Sequence, residues 1–335
     1  MVVLASRSIN IIDSACGANF MAALSVQTTP DLAKMKASFR QVYYTDHHTL
    51  DLPQQHKFPA DKYRILRQVL ESEQLFHFVP APPVDAATLA LAHDPEYVEQ
   101  FMAGTLPAAS MRRIGLPWSE AFVRRAMASV GGTLSAARDA LAYGRGATLG
   151  GGTHHAFRAE GSGFCVFNDI AVSIEKLRQE DRIERAAVID LDVHQGDGTA
   201  EIFRDAAHVF TFSMHGQSNF PFRKQKSSLD IALADKTGDD EYLSHLENAL
   251  PQVFAFAPDI IFYQSGVDPL DCDVLGRLSL TLEGLTLRDR KVMLAVRSSA
   301  IPFVLTSGGG YARPVERSVE AHANTYRTAA EIFEA

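Results

Sequence analysis

The chain has 335 residues, 46% of them hydrophobic and 21% charged, and its 32 basic against 40 acidic side chains leave a formal net charge of −8. These proportions are those of a globular protein, and the acidic balance excludes a general nucleic-acid binder, which would present a basic face. No run approaches the roughly 18 consecutive apolar residues of a membrane-spanning helix, so no membrane partner is expected.

Residues 1–34 mix small and apolar side chains with few charges, and Asp13 breaks the short run Ile11-Ile12. A signal peptide would carry an uninterrupted apolar stretch, so these residues read as an extension outside the fold, with a targeting segment as the alternative. Cys16, Cys165 and Cys272 are an odd number without close spacing. They form neither a disulfide framework nor a cysteine zinc site, which suits a reducing, cytoplasmic compartment.

From residue 35 to 335 a single α/β domain is expected. Gln41–Tyr44 reads as a strand, and Asp61–Ser72 as a helix with Tyr63, Leu66, Val69 and Leu70 on one stripe. Phe76–Val79 reads as a strand stopped by Pro80, Pro82 and Pro83. Helices follow near Asp94–Met102 and Ser119–Ala142, the second with Ser119 as N-cap and Gly144 as its stop. Four apolar strands then each run into a polar loop: Ala147–Leu149 before Gly150, Ala187–Leu191 before Asp192, Ile260–Tyr263 before Gly266, and Pro302–Leu305 before Gly308. Helices near Asp169–Glu180, Leu285–Arg297 and Pro314–Phe333 return the chain between strands. This alternation predicts a parallel sheet between helices, a three-layer sandwich. Ligands of such sheets bind beyond the carboxyl ends of the strands, so the four loops should meet in one crevice.

Alternate residues of an extended chain share a face, which places Asp190, Asp192 and His194 on one side. Two carboxylates and an imidazole so placed favour a cation among them. An exposed acidic turn is the alternative, but Asp190 ends an apolar run. Asp268, after the strand Ile260–Tyr263, can supply a third ligand, and three protein ligands are the pattern of a catalytic metal. His154 and His155 follow Gly150-Gly151-Gly152 and are free for acid–base work, with Asp190 and Asp197 available to orient them. Tyr311 follows Gly308-Gly309-Gly310, which reads as a mobile loop presenting its hydroxyl; core packing is the alternative.

His154-His155, the run Asp190-Leu191-Asp192-Val193-His194-Gln195-Gly196-Asp197-Gly198-Thr199, Asp268 and Gly309-Gly310-Tyr311 together resemble the zinc-dependent histone deacetylase superfamily from about Phe39 to Phe333. Gln55-His56-Lys57-Phe58-Pro59, Lys62-Tyr63 and Asn219-Phe220-Pro221-Phe222-Arg223-Lys224 look most like its class IV branch and bacterial acetoin-utilisation-type relatives. The resemblance implies the arginase–deacetylase α/β sandwich and Zn²⁺ on Asp192, His194 and Asp268; the same donors suit Fe²⁺ or Co²⁺. It implies His155, paired with Asp197, as general base, His154, paired with Asp190, as electrostatic support, and Tyr311 as donor to the substrate carbonyl. Phe164 and Phe222 would flank a narrow tunnel with Leu275 near its mouth. A K⁺ site would use Asp190 with carbonyls of Asp192, His194, Ser213 and Met214. In one respect the chain departs from the family: Arg112 and Arg113, within Met111–Pro117, stand where many deacetylases carry an acidic rim residue.

The activity implied is hydrolysis of an acyl group, acetyl or longer, from an N-acyl amine such as acyl-lysine. A small-molecule or acetylpolyamine deacetylase is the alternative and would want acidic residues at the tunnel mouth. A catalytically silent binding module of the same fold is a third reading, opposed by the intact residue set. An arginase-type hydrolase would need further carboxylates for two metals.

Overall fold

Apolar runs become buried strands when β-branched and aromatic side chains can pack on both faces of a pleated ribbon. The computed structural model describes residues 39, 41–53 and 56–334; the expected N-terminal extension, residues 1–34, and Cys16 lie outside them. The strands are β1 (Val42–Tyr44), β2 (Phe78–Pro80), β3 (Arg145–Thr148), β4 (Ala186–Asp190), β5 (Val209–Gly216), β6 (Leu229–Leu233), β7 (Ile260–Gln264) and β8 (Phe303–Thr306). They form one sheet in the order β2-β1-β3-β8-β7-β4-β5-β6, with every neighbouring pair parallel.

Alternation along the central strands feeds two apolar layers. Ile260 and Phe262 of β7 pack into one and Ile261 and Tyr263 into the other, while Ala186 and Val188 of β4 oppose Ala187 and Ile189 in the same way. Helices α1 (Lys62–Ser72), α8 (Asp239–Ala255), α9 (Leu282–Ser299) and α10 (Glu316–Glu334) cover one face. Helices α2 (Ala86–Leu89), α3 (Pro95–Ala103), α4 (Ala108–Ile114), α5 (Glu120–Tyr143), α6 (Asp169–Gln179) and α7 (Asp197–Ile202) cover the other. The result is the expected three-layer α/β sandwich. Among the described residues no helix is long and apolar enough to cross a membrane.

Helix α5 shows how sequence sets position. The Ser119 hydroxyl accepts the Phe122 N–H at 3.1 Å, and Gly144 ends the helix in the left-handed region with φ 83°. Helix and strand then touch backbone to backbone: a Cβ on Gly146 of β3 would lie 1.8 Å from the Ala136 carbonyl oxygen. This contact seats β3, whose following loop carries the paired histidines.

The four strands predicted to end in polar loops are β3, β8, β7 and β4, which are consecutive in the sheet, so their loops open on one crevice. Elsewhere the sequence reading differs from the fold. The strand expected at Phe76–Val79 lies at Phe78–Pro80, because β2 is an edge strand where proline's missing N–H costs no ladder bond. Strands β5 and β6 escape an apolar scan, since β5 carries buried Thr211, Ser213 and His215 and β6 is a half-buried edge. Pro251 disguises α8.

Candidate active site

Strand β4 ends at Asp190, so strand alternation does not place the residues beyond it. Two consecutive side-chain turns do: the Asp192 N–H donates to Asp190 Oδ1 at 3.2 Å, and the His194 N–H to Asp192 Oδ1 at 3.0 Å. Asp268, beyond β7, accepts the Val193 N–H on Oδ1 at 2.8 Å and turns Oδ2 toward the same point. There the His194 Nδ1 lies 3.0 Å from Asp192 Oδ1 and 3.1 Å from Asp268 Oδ2. All three side chains are buried, and one donor atom of each lies within 4.8 Å of the others. Burial, helped by the charge of Asp192, raises Asp268 to about 7. Burial lowers His194, but the hydrogen bonds and charges of Asp192 and Asp268 outweigh it and lift the ring to about 10. Two oxygen donors and one imidazole nitrogen, gathered and buried, fit a divalent transition ion.

The supports of this cluster are not visible in local sequence. Arg288 of α9, fully buried, donates to the carbonyls of Leu191 at 3.3 Å and Gly266 at 2.6 Å, tying together the two loops that carry Asp192 and Asp268. The Gly309 N–H donates to Asp192 Oδ2 at 2.8 Å, and a Cβ there would come within 2.1 Å of Asp268 Oδ2.

The loop after β3 is held by Asp169, buried at the start of α6, which accepts from the N–H groups of Gly152 and Thr153 at 2.9 and 2.7 Å. This turns both following histidines inward. His154 Nδ1 lies 2.7 Å from Asp190 Oδ2 and His155 Nδ1 2.6 Å from Asp197 Oδ1. Their rings are 4.1 Å apart, yet their surroundings separate them. Burial and neighbouring His154 push His155 down to about 4, whereas Asp190 and Asp192 overcome burial and lift His154 to about 9. With Nδ1 committed to Asp197, Nε2 is the atom His155 has left for proton transfer.

The glycines before Tyr311 do not make the mobile loop expected from sequence. Gly308, Gly309 and Gly310 are buried and pinned. Lys62, fully buried in α1, donates to the Gly308 and Gly310 carbonyls at 3.3 and 3.2 Å and lies 3.4 Å from His322 Nε2. Its ammonium is 5.7 Å from the Tyr311 ring, and burial pulls it down to about 8. The Tyr311 N–H donates to Asp273 at 2.6 Å. The glycines therefore permit close approach to carboxylates and ammonium. Lys62→Met should keep the buried length but leave both carbonyls unpaired, at about 1–3 kcal/mol each. The expected result is a lower thermal midpoint and a reduced kcat with KM nearly unchanged, partly restored in Lys62→Arg; unfolding curves and initial rates check it.

Phe164 packs 6.0 Å from the Tyr311 ring, and on the opposite side Phe220 meets His155 edge-on at 5.0 Å and His194 at 6.5 Å. Phe222, the expected partner, is 85% exposed and lines the groove farther out, 6.4 Å from Phe220, which takes the inner position. The two phenylalanines flank Pro221, and sequence does not distinguish which turns inward. Beyond this pair opens a groove of about 700 Å³ with His155, His194 and Tyr311 among its lining residues and Leu275 in its wall. The Met111–Pro117 stretch is largely helix α4, not a loop, and Arg113 lines the groove. Ser213 stands opposite Asp190 in the sheet and bonds His215 at 3.0 Å, while Met214 packs in the core. Among the described residues, Asp192, His194 and Asp268 are the group of His, Cys, Asp or Glu side chains that could hold a metal ion.

Comparison with known proteins gives the chain's family. The histone deacetylase domain model matches residues 56–326. An uncharacterized protein of Picosynechococcus is 43% identical over 305 residues, covering 88% of this chain and 99% of the relative. The acetoin utilization protein AcuC of Bacillus subtilis is 32% identical over 298 residues, 81% of this chain and 76% of its own length. Histone deacetylase 2 of Arabidopsis thaliana is 37% identical over 199 residues, 57% of this chain and 51% of its own.

Proposed function

We infer, from the premise that the chain belongs to the histone deacetylase family, that it is a metal-dependent deacylase that cleaves N-acyl amines such as acyl-lysine. The observation that carries this reading is the convergence of the His155–Asp197 pair and Tyr311 on His194 of the buried Asp192, His194 and Asp268 group, beside a groove walled by Phe164 and Phe220. Those three residues would hold the ion, which we assign as Zn²⁺, with Fe²⁺ or Co²⁺ compatible with the same donors. Bound there, a divalent ion supplies Lewis acidity toward water and the acyl carbonyl.

The chain's own groups do the rest. His155 takes a proton from water at Nε2, while Asp197 holds Nδ1–H and fixes the ring. The Tyr311 hydroxyl donates to the acyl oxygen as negative charge develops on it; burial with the charges of Asp192 and Asp268 keeps this phenol well above its ordinary value, so it donates rather than ionises. His154, fixed by Asp190, supplies positive charge beside the reacting amide, and the proton gained by His155 passes to the departing amine nitrogen. Phe164 and Phe220 exclude water around a methylene stem that is neutral until its amide is cleaved. We place the chain in a reducing, cytoplasmic compartment, as the odd and widely spaced cysteines of its sequence suggest.

The test is a substrate panel varying acyl length and amine carrier (peptide lysine, polyamine and small amide), assayed with metal content measured on the same samples. Release of free amine in proportion to bound metal is expected, and silence across the panel with metal bound would overturn the deacylase reading in favour of a binding module.

A further inference from the structure

The groove beside His155, His194 and Tyr311 is one-signed. Lys57, Arg113 and Arg277 line it, and no carboxylate does among the described residues. This is local and runs against the net charge of −8 of the whole chain. Arg113 meets Glu160 at 3.0 Å and Arg277 meets Asp235 at 3.3 Å, but all four side chains are about half exposed and neither carboxylate lines the groove. Such exposed pairs hold weakly and exchange readily for a better-placed anion. Lys57 makes no ion pair among the described residues. The cations share the groove with His155, His194 and Tyr311, so they border the same space a substrate must cross.

We propose that this mouth selects acyl-lysine carried in an acidic setting, with carboxylates flanking the acylated side chain. The proposal rests on the deacylase reading and adds the substrate class. A basic peptide, or a polyamine with its further ammonium groups, brings like charge against Lys57, Arg113 and Arg277 as it enters. An acidic peptide brings opposite charge, focused in a cleft where it raises local concentration and association rate. Discrimination should therefore lie in kcat/KM through KM, and should weaken as salt rises.

The experiment uses three fluorescent acetyl-lysine peptides identical except for Glu, Gln or Lys at the flanking positions, with free Nε-acetyl-lysine as a fourth arm. Turnover and binding by fluorescence polarisation (competition for the free amino acid) are measured at low and high salt. Wild type is expected to favour the Glu peptide over the Lys peptide by about tenfold or more in kcat/KM at low salt. The Arg113→Gln/Arg277→Gln double variant should erase most of that preference, and adding Lys57→Glu should reverse it. Wild-type circular dichroism, thermal midpoint and bound metal show that the variants fold. A gain confined to free Nε-acetyl-lysine would place the selected anion on a small molecule and overturn the peptide assignment. Turnover without charge preference, or a preference unmoved by the variants, would overturn the proposal and leave the deacylase reading intact. Charge-dependent binding with no turnover would instead sink the deacylase reading.

Discussion

Replacing His155 with alanine should lower turnover by about 10²–10⁴-fold while metal content stays at the wild-type level. The ring touches Asp197 through Nδ1 and meets the cluster only from the side, its centroid 5.9 Å from that of His194. Its loss removes a proton acceptor without removing a donor to the ion. Asp268→Ala is the necessary contrast. That carboxylate faces His194 at 3.1 Å and also accepts the Val193 N–H at 2.8 Å, so its removal takes away a ligand and loosens the loop that presents the others. Activity and bound metal should then disappear together. Metal analysis of dialysed protein, paired with rates on the same preparation, separates the two. If His155→Ala lost its metal, the imidazole would be a ligand and the base would have to be sought elsewhere. His154→Ala should likewise keep its metal and lose part of the turnover, since His154 pairs with Asp190 at 2.7 Å and supplies charge rather than a ligand.

What sequence could tell depends on where chemistry sits along the chain. Parallel strands buried on both faces are apolar throughout, so β4, β7 and β8 stood out, and the polar residues at their carboxyl ends stood out against them. The direct contacts of Asp192, His194 and Asp268 follow from that arrangement, though side-chain turns beyond β4 rather than strand alternation create it. Contacts made over long separations left no local trace. Lys62 reaches carbonyls 246 and 248 residues away, and in sequence it is one more lysine at a helix start. Arg288 resembles any charged residue of an amphipathic helix, yet it is buried and bonded to carbonyls of the loops that carry Asp192 and Asp268. The glycines before Tyr311 misled for a related reason: glycine accompanies both flexible loops and tight approach, and only the neighbours at Gly309 decide between them.

Tyr311→Phe tests the remaining part of the site with the smallest change, a single hydroxyl. The ring should keep its place, because packing 6.0 Å from Phe164 and the backbone N–H bond to Asp273 at 2.6 Å do not involve that hydroxyl. Fold, thermal midpoint and bound metal should be those of wild type. Substrate binding should also change little, since an amide oxygen in the ground state gains modestly from one more donor. The transition state differs: charge collects on the acyl oxygen inside a wall of Phe164, Phe220 and buried backbone, where a fixed donor acts with little competition from water. The loss should fall on kcat, by about 10²–10³-fold, with KM near its original value. A matching fall in Asp273→Ala, accompanied by a lower thermal midpoint, would show that the hydroxyl works only when its backbone is tethered. Wild-type kcat in Tyr311→Phe on acyl-lysine peptides would remove the phenol from the chemistry and leave carbonyl activation to the ion and the His154 charge.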